Sequence, residues 1–69
     1  MRNFKAGEKL IMPIEAKDTQ FLIAFDEEML QFRLVNLQKH TISYSFFNQD
    51  ALDKILNIWM GEGKIQLVT

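Results

Sequence analysis

The chain has 69 residues, of which 48% are hydrophobic and 25% charged, and its eight Lys and Arg nearly balance nine Asp and Glu. These proportions are typical of a single small domain over residues 1–69, and the net charge of −1 argues against a basic protein that coats polyphosphate and against an acidic DNA mimic. Because the sequence has no cysteine, disulfide bonds, thiolate metal sites and cysteine nucleophiles are excluded, which fits a reducing compartment.

No segment of the sequence predicts export or membrane insertion. The longest apolar runs, residues 10–14 and 21–25, have five residues each, whereas a helix that spans a bilayer needs about 20. The positively charged start is not followed by an apolar stretch of signal-peptide length. We therefore expect a soluble, cytoplasmic protein with no membrane partner.

Four β-strands are predicted in the first two thirds of the chain, because apolar residues alternate there with a period of two. The second of them, over residues 19–25, is apolar on both faces. Pro13 indicates that the first strand lies at a sheet edge or carries a bulge, because proline has no N–H to donate. The residues expected to face the core are Leu10, Met12 and Ile14 in the first strand, Phe21, Ile23 and Phe25 in the second, Leu30, Phe32 and Leu34 in the third, and Ile42, Tyr44 and Phe46 in the fourth. Short polar turns, including Lys17-Asp18, favour an antiparallel meander.

The period changes to 3.6 after Asn48, which is a favourable N-cap. One amphipathic helix is predicted over residues 49–60, with Phe47 packed on Leu52 at its start and Gly61 in a left-handed conformation at its end. The stripe that faces the core comprises Leu52, Ile55, Leu56 and Trp59, and the arc expected to face water comprises Gln49, Asp50, Asp53, Lys54 and Asn57. Asp50 and Asp53 are expected to complement the positive end of the helix dipole.

Alternation of Ile65 and Leu67 predicts a short C-terminal strand after the helix. The order of elements therefore predicts an α+β fold. Its sheet is an antiparallel β-meander of about four to five strands, and the helix packs on one face of that sheet.

The residue types that support catalysis or ligand binding do not occur in functional arrangements. The string at residues 61–64 has the glycines and lysine of a phosphate loop, but it follows a helix, whose C-terminal end disfavours anions. His40 near Ser43 and Ser45 has no third group to orient it for hydrolysis, and the acidic residues 26–28 lack the spacing of a calcium loop. We expect no catalytic residue, no metal site and no cofactor, and hence a protein that is not an enzyme.

Apolar residues outside the predicted core-facing positions are the remaining sign of a binding function. The helix carries Ile58 and Met60 outside its main stripe, and the second strand carries Leu22 and Ala24 on its outer face. These four residues either complete the core or form an interface with a second copy or with a larger protein. Small domains without disulfides or metals often gain stability by association, which favours a homodimer.

Nucleic-acid binding is the alternative function. Proteins that bind single strands stack bases on sheet aromatics beside basic side chains, and Arg33, Lys39 and Tyr44 supply these residue types. The outward positions of the third and fourth strands are, however, mostly polar and uncharged, which disfavours this alternative.

The sequence thus predicts a small non-enzymatic module that binds proteins by surface complementarity. Small single domains without cysteine are common among the accessory and inhibitor proteins of phages and other mobile elements. We expect such a protein to act by steric occlusion, with apolar anchors at the centre of its interface and charges at the rim.

Overall fold

A computed structural model of the chain describes residues 1–13 and 18–68. The elements in chain order are β1 (Lys9–Met12), β2 (Thr19–Asp26), β3 (Gln31–Asn36), β4 (Thr41–Phe46), α1 (Gln49–Gly61) and β5 (Gln66–Leu67). The strands form one antiparallel sheet in the order β4-β3-β2-β1-β5, and α1 packs on one face of it. The predicted α+β fold is confirmed.

The core lies between α1 and one face of the sheet. The alternation predicted for β1 and β2 is confirmed for Leu10, Met12, Phe21 and Ile23, which are buried, whereas Phe25 at the end of β2 is 41% exposed. The core residues are Phe4, Leu10, Met12, Phe21, Ile23, Leu34, Phe46, Leu52, Leu56 and Ile65. Ile14 and Lys17, for which the sequence predicted a core position and a turn, lie outside the described residues.

Of the two alternatives predicted from Pro13, a sheet edge or a bulge, the sheet edge is wrong. β1 has β2 on one side and the two residues of β5 on the other, so it lies inside the sheet. Pro13 follows the last residue of β1, where no ladder hydrogen bond requires its N–H. The edges of the sheet are β4 and β5.

A β-bulge in β4 reverses the predicted orientation of Ile42. Leu34 pairs with Tyr44, whereas the next residue, Val35, pairs with Ile42, so Ser43 is the extra residue. Tyr44 and Phe46 keep their positions on the helix side, but Ile42 turns to the opposite face beside Val35 and is 59% exposed. The extra residue is the physical reason, because a shift by one residue moves side chains to the other face.

Both ends of α1 depend on local hydrogen bonds. The Asn48 side chain accepts a hydrogen bond from the N–H of Ala51 at 2.9 Å, which confirms the predicted N-cap. Phe47 is 80% exposed, so it does not pack on the fully buried Leu52 as predicted. Gly61 is the last helical residue, and the left-handed glycine is Gly63, with φ at +75°.

The helix ends in a Schellman motif. The N–H of Gly63 donates to the carbonyl of Met60 at 3.1 Å, and the N–H of Lys64 donates to the carbonyl of Trp59 at 2.9 Å. These two bonds satisfy carbonyls that a helix end otherwise leaves without donors, and they turn the chain towards β5.

The first residues of the chain form an arm across α1, and three side chains of the predicted water-facing arc hold it. The N–H of Phe4 donates to Asp53 Oδ1 at 2.8 Å, and the carbonyl of Phe4 accepts from Gln49 Nε2 at 2.7 Å. Asn57 bonds the N–H and the carbonyl of Arg2 at 3.1 and 2.8 Å. Asp53 is therefore buried, and the prediction that this side chain faces water is wrong.

The two hairpins β2–β3 and β3–β4 close with the same loop geometry. The Oδ1 atom of Asp26 accepts from the N–H groups of the second and third following residues at 3.0 and 3.1 Å, and Asn36 does the same at 2.9 and 3.0 Å. The fourth following residue is left-handed in each loop: Leu30 has φ at +55° and His40 at +56°. Leu30 therefore lies in a turn and is 67% exposed, and its predicted core position is wrong.

Candidate binding surfaces

The residues that the sequence singled out for catalysis or metal binding lie in turns and on the strands. Within residues 1–13 and 18–68, no three His, Asp or Glu side chains are grouped closely enough to hold a metal ion. His40 lies in the β3–β4 turn, where its N–H donates to the carbonyl of Asn36 at 2.8 Å, and the hydroxyl of Ser45 accepts from Arg33 at 2.6 Å. For this part of the chain, α1 is too short and too polar to cross a membrane.

The sheet face opposite α1 carries apolar side chains at its centre. Leu22 pairs with Val35, which pairs with Ile42, so the three form a row across β2, β3 and β4. The neighbouring positions Ala24 and Ile11 lie on the same side of the sheet, and we call this side the open face. A sheet face in contact with water is ordinarily polar, so this apolar row is unusual for a face that α1 does not cover.

An ion pair lies on the open face beside the apolar row. The Arg33 guanidinium bonds Asp26 Oδ2 at 3.0 Å and the Ser45 hydroxyl, which fixes the arginine across β2, β3 and β4. The hydrogen bond from the N–H of Met29, together with those from Arg33 and the N–H of Glu28, lowers the pKa of Asp26 from its ordinary value. The carboxylate therefore remains charged at neutral pH, and the two charges largely cancel.

The four predicted interface residues lie on two sides of the molecule. Leu22 and Ala24 belong to the open face, where both are partly buried by neighbouring strands. Ile58 lies on α1 and is 48% exposed, whereas Met60 packs against the core. A single partner surface therefore does not contact all four.

The residues of the alternative nucleic-acid patch are also separated. Tyr44 faces α1, and its ring meets that of Trp59 edge to face at 5.1 Å. Arg33 lies on the opposite face in its ion pair, and Lys39 is exposed in the β3–β4 turn. Arg33 and Tyr44 cannot contact the same nucleotide strand on one face, so the structure does not assemble this patch.

One end of the sheet carries four exposed large apolar side chains. The β2–β3 loop lies at this end, and Phe47 follows β4 at the same end because Phe25, Phe32 and Phe46 pair across the three strands. Phe25, Met29, Leu30 and Phe47 are 41%, 61%, 67% and 80% exposed, and we call these four residues the apolar tip. The ring of Phe25 contacts that of Phe32 edge to face at 5.0 Å, which anchors the tip to the core.

The apolar tip is not evident from the sequence pattern. Alternation with a period of two places Leu30 in a strand, and the capping pattern places Phe47 against the helix, so both are predicted to be buried. The available signal was the pair Met29-Leu30 directly after three acidic residues, which is a hairpin position where polar residues are usual.

Comparison of the chain with models of known protein families finds no match, and comparisons with curated proteins and with solved structures find none either. The assignment of function therefore depends on the surfaces themselves.

Proposed function

We propose that the protein is a cytoplasmic, non-enzymatic binding module that acts by surface complementarity, and that its open face associates with a second copy of the chain. The observation that supports this proposal is the apolar row Leu22–Val35–Ile42 on the sheet face opposite α1. Two such rows remove their side chains from water when two sheets pack face to face, about 10 Å apart.

The dimensions of the molecule suit a dimer of this kind. Its two longer axes measure 32 and 28 Å. A stable interface buries about 800 Å² on each partner, so a dimer of this kind would extend beyond the apolar row to the neighbouring residues of the same sheet face. A module of this form binds a larger protein through its remaining surface and acts by steric occlusion.

The charges on the open face are compatible with self-association. Arg33 and Asp26 neutralise each other within one copy, Lys9 beside Leu22 adds one positive charge to this face, and the chain as a whole carries a net charge of only −1. Two copies therefore meet without a large electrostatic repulsion, and the apolar centre with charges beside it is the usual composition of an interface.

The test is the oligomeric state of two matched variants. Ile42→Asp places a charge on the open face, and Ile58→Asp places the same charge on the outer side of α1, at a similarly exposed isoleucine. Sedimentation equilibrium at micromolar concentration should show wild type and Ile58→Asp at twice the 8.1 kDa monomer mass, and Ile42→Asp as the monomer, because a charge in an apolar contact is costly. A wild-type monomer throughout the dilution series, or a dimer that only Ile58→Asp disrupts, would refute the open face as the interface.

A further inference from the structure

The two hairpin loops allow a comparison within one molecule. They share their Asx hydrogen bonds and their left-handed fourth residue, but they differ in side chains. The β3–β4 loop ends in Gln38-Lys39-His40, whereas the β2–β3 loop ends in Glu28-Met29-Leu30. Because polar residues satisfy the same geometry at residues 38–40, the turn itself does not require Met29 or Leu30.

Leucine is an unfavourable residue type at position 30. A left-handed conformation costs a residue with a Cβ atom about 1–2 kcal/mol, and Gly or Asn occupies it more readily. Leu30 nevertheless adopts it with most of its side chain in water. A strained residue that also exposes apolar surface indicates a function beyond the fold.

The charges around the apolar tip carry a negative excess. Glu27 and Glu28 precede Met29 in the loop, and Asp50 lies in the first turn of α1 at the same end. None of these three carboxylates forms an ion pair within the described residues, whereas Asp26 is neutralised by Arg33. Of the basic residues, Lys5 follows Phe4, whose carbonyl accepts from Gln49 at the start of α1, and Lys54 lies one helical turn beyond Asp50, so three unpaired carboxylates stand against two lysines.

We propose that the apolar tip binds a protein segment that carries basic side chains beside an apolar anchor. The anchor packs on Met29, Leu30 and Phe47, and the basic side chains contact Glu27, Glu28 and Asp50. A second copy of the chain is a poor occupant, because two tips would bring like carboxylates together. Anionic lipid and nucleic acid are disfavoured for the same reason.

The apolar tip is a surface other than the open face, and its partner specifies the larger protein that the proposed module would bind. The open face lies on the broad side of the sheet and the apolar tip at its end, so a dimer leaves both of its tips accessible. A chain that is monomeric in solution still binds through its tip, so failure of one proposal does not imply failure of the other.

The experiment measures binding of the full chain to a defined probe. The probe is a fluorescent amphipathic helical peptide of leucine and lysine, about 18 residues long, and its counterpart has glutamate in place of lysine. Fluorescence anisotropy should show binding of the basic peptide and at least about tenfold weaker binding of the acidic one. No binding of the basic peptide, or equal binding of both, would overturn the proposal.

Variants locate the site. Met29→Ser, Leu30→Asn and Phe47→Ser should each weaken binding of the basic peptide about tenfold, because they remove exposed anchors and leave the charges in place. The double variant Glu27→Gln with Glu28→Gln should weaken binding about fivefold at low salt and much less at high salt. Thermal unfolding verifies that each variant is folded.

The matched control is the other hairpin. Lys39→Ser and His40→Asn alter the β3–β4 loop at the positions equivalent to Met29 and Leu30, and both should bind the basic peptide within about twofold of wild type. Wild-type binding by the three tip variants, or equal losses in both loops, would show that the peptide does not recognise the apolar tip. If the tip variants instead dissociate a dimer, the occupant is a second copy and the proposal is wrong.

Discussion

Replacement of Phe4 by alanine is expected to destabilise the protein as much as a deletion in the middle of the core. Phe4 lies in the arm, which has no helix or strand of its own. Its side chain is nevertheless fully buried, its backbone is bonded to Asp53 and Gln49, and the guanidinium of Arg2 lies 5.4 Å from its ring centre.

The magnitude follows from burial and from the cavity that the substitution leaves. Removing a fully buried phenylalanine side chain from the core forfeits about 1.5–3 kcal/mol of transfer free energy, and the cavity raises the total to about 3–5 kcal/mol. The free energy of unfolding of a small domain is about 5 kcal/mol at the low end of the usual range, so the variant retains only a small part of its stability. Asn3→Ala, at an exposed neighbouring position, is the control and should cost less than about 0.5 kcal/mol.

Urea unfolding followed by the fluorescence of Trp59 measures this effect. With a denaturant slope of about 1 kcal/mol per molar, Phe4→Ala should lower the midpoint by about 3 M or more. A shift as small as that of Asn3→Ala would mean that the arm does not dock on α1 in solution. In that case the hydrogen bonds to Asp53 and Asn57 would also lose their structural role.

Three further predictions concern the loops and the helix. Leu30→Gly should raise the free energy of unfolding by about 0.5–1 kcal/mol by removing left-handed strain, and a decrease in the thermal midpoint would contradict this. The lowered pKa of Asp26 means that its contribution to stability is present above the ordinary aspartate pKa of about 3.9 and is lost as the pH falls through the lowered value in the folded protein. Asp26→Asn keeps the loop acceptor but cannot titrate, so its difference in urea midpoint from wild type should be largest at neutral pH and should shrink in acid; a constant difference would refute the linkage. Trp59→Ala should lower the free energy of unfolding by about 2–3 kcal/mol, which is less than for a fully buried tryptophan, because Trp59 packs on Tyr44 and the core while remaining partly exposed. A red-shifted emission of Trp59 that is accessible to quenchers would argue against this packing.

Periodicity predicted the parts of the fold in which one physical requirement dominates. The alternation in β1 and β2 and the helical stripe through Leu52 and Leu56 arise from burial of one face, and the structure confirms them. Asn48 was recognisable because few residue types can accept a hydrogen bond from the first turn of a helix. Each of these signals lies within or directly beside one helix or strand.

The features that sequence reasoning missed depend on contacts between distant segments or on the insertion of one residue. Nothing in the alternating string of residues 41–46 marks Ser43 as the extra residue that turns Ile42 to the open face. An aspartate near the start of a helix is already explained by the helix dipole, so the sequence pattern gives Asp53 no other role. Its hydrogen bond from the N–H of Phe4, 49 residues away in the chain, becomes visible only in the structure. The open face could be anticipated in part from Leu22 and Ala24, whereas Ile42 and the apolar tip required the register of the strands.

Folding of this chain during translation has a constraint that follows from Phe4 and Ile65. Both side chains are fully buried in the same core, although 61 positions separate them. At a synthesis rate of about 5–20 residues per second, the ribosome adds Ile65 about 3 to 12 s after Phe4. Part of the apolar surface of the nascent sheet therefore remains in contact with water until β5 has been synthesised. During this interval the chain is most accessible to chaperones and proteases.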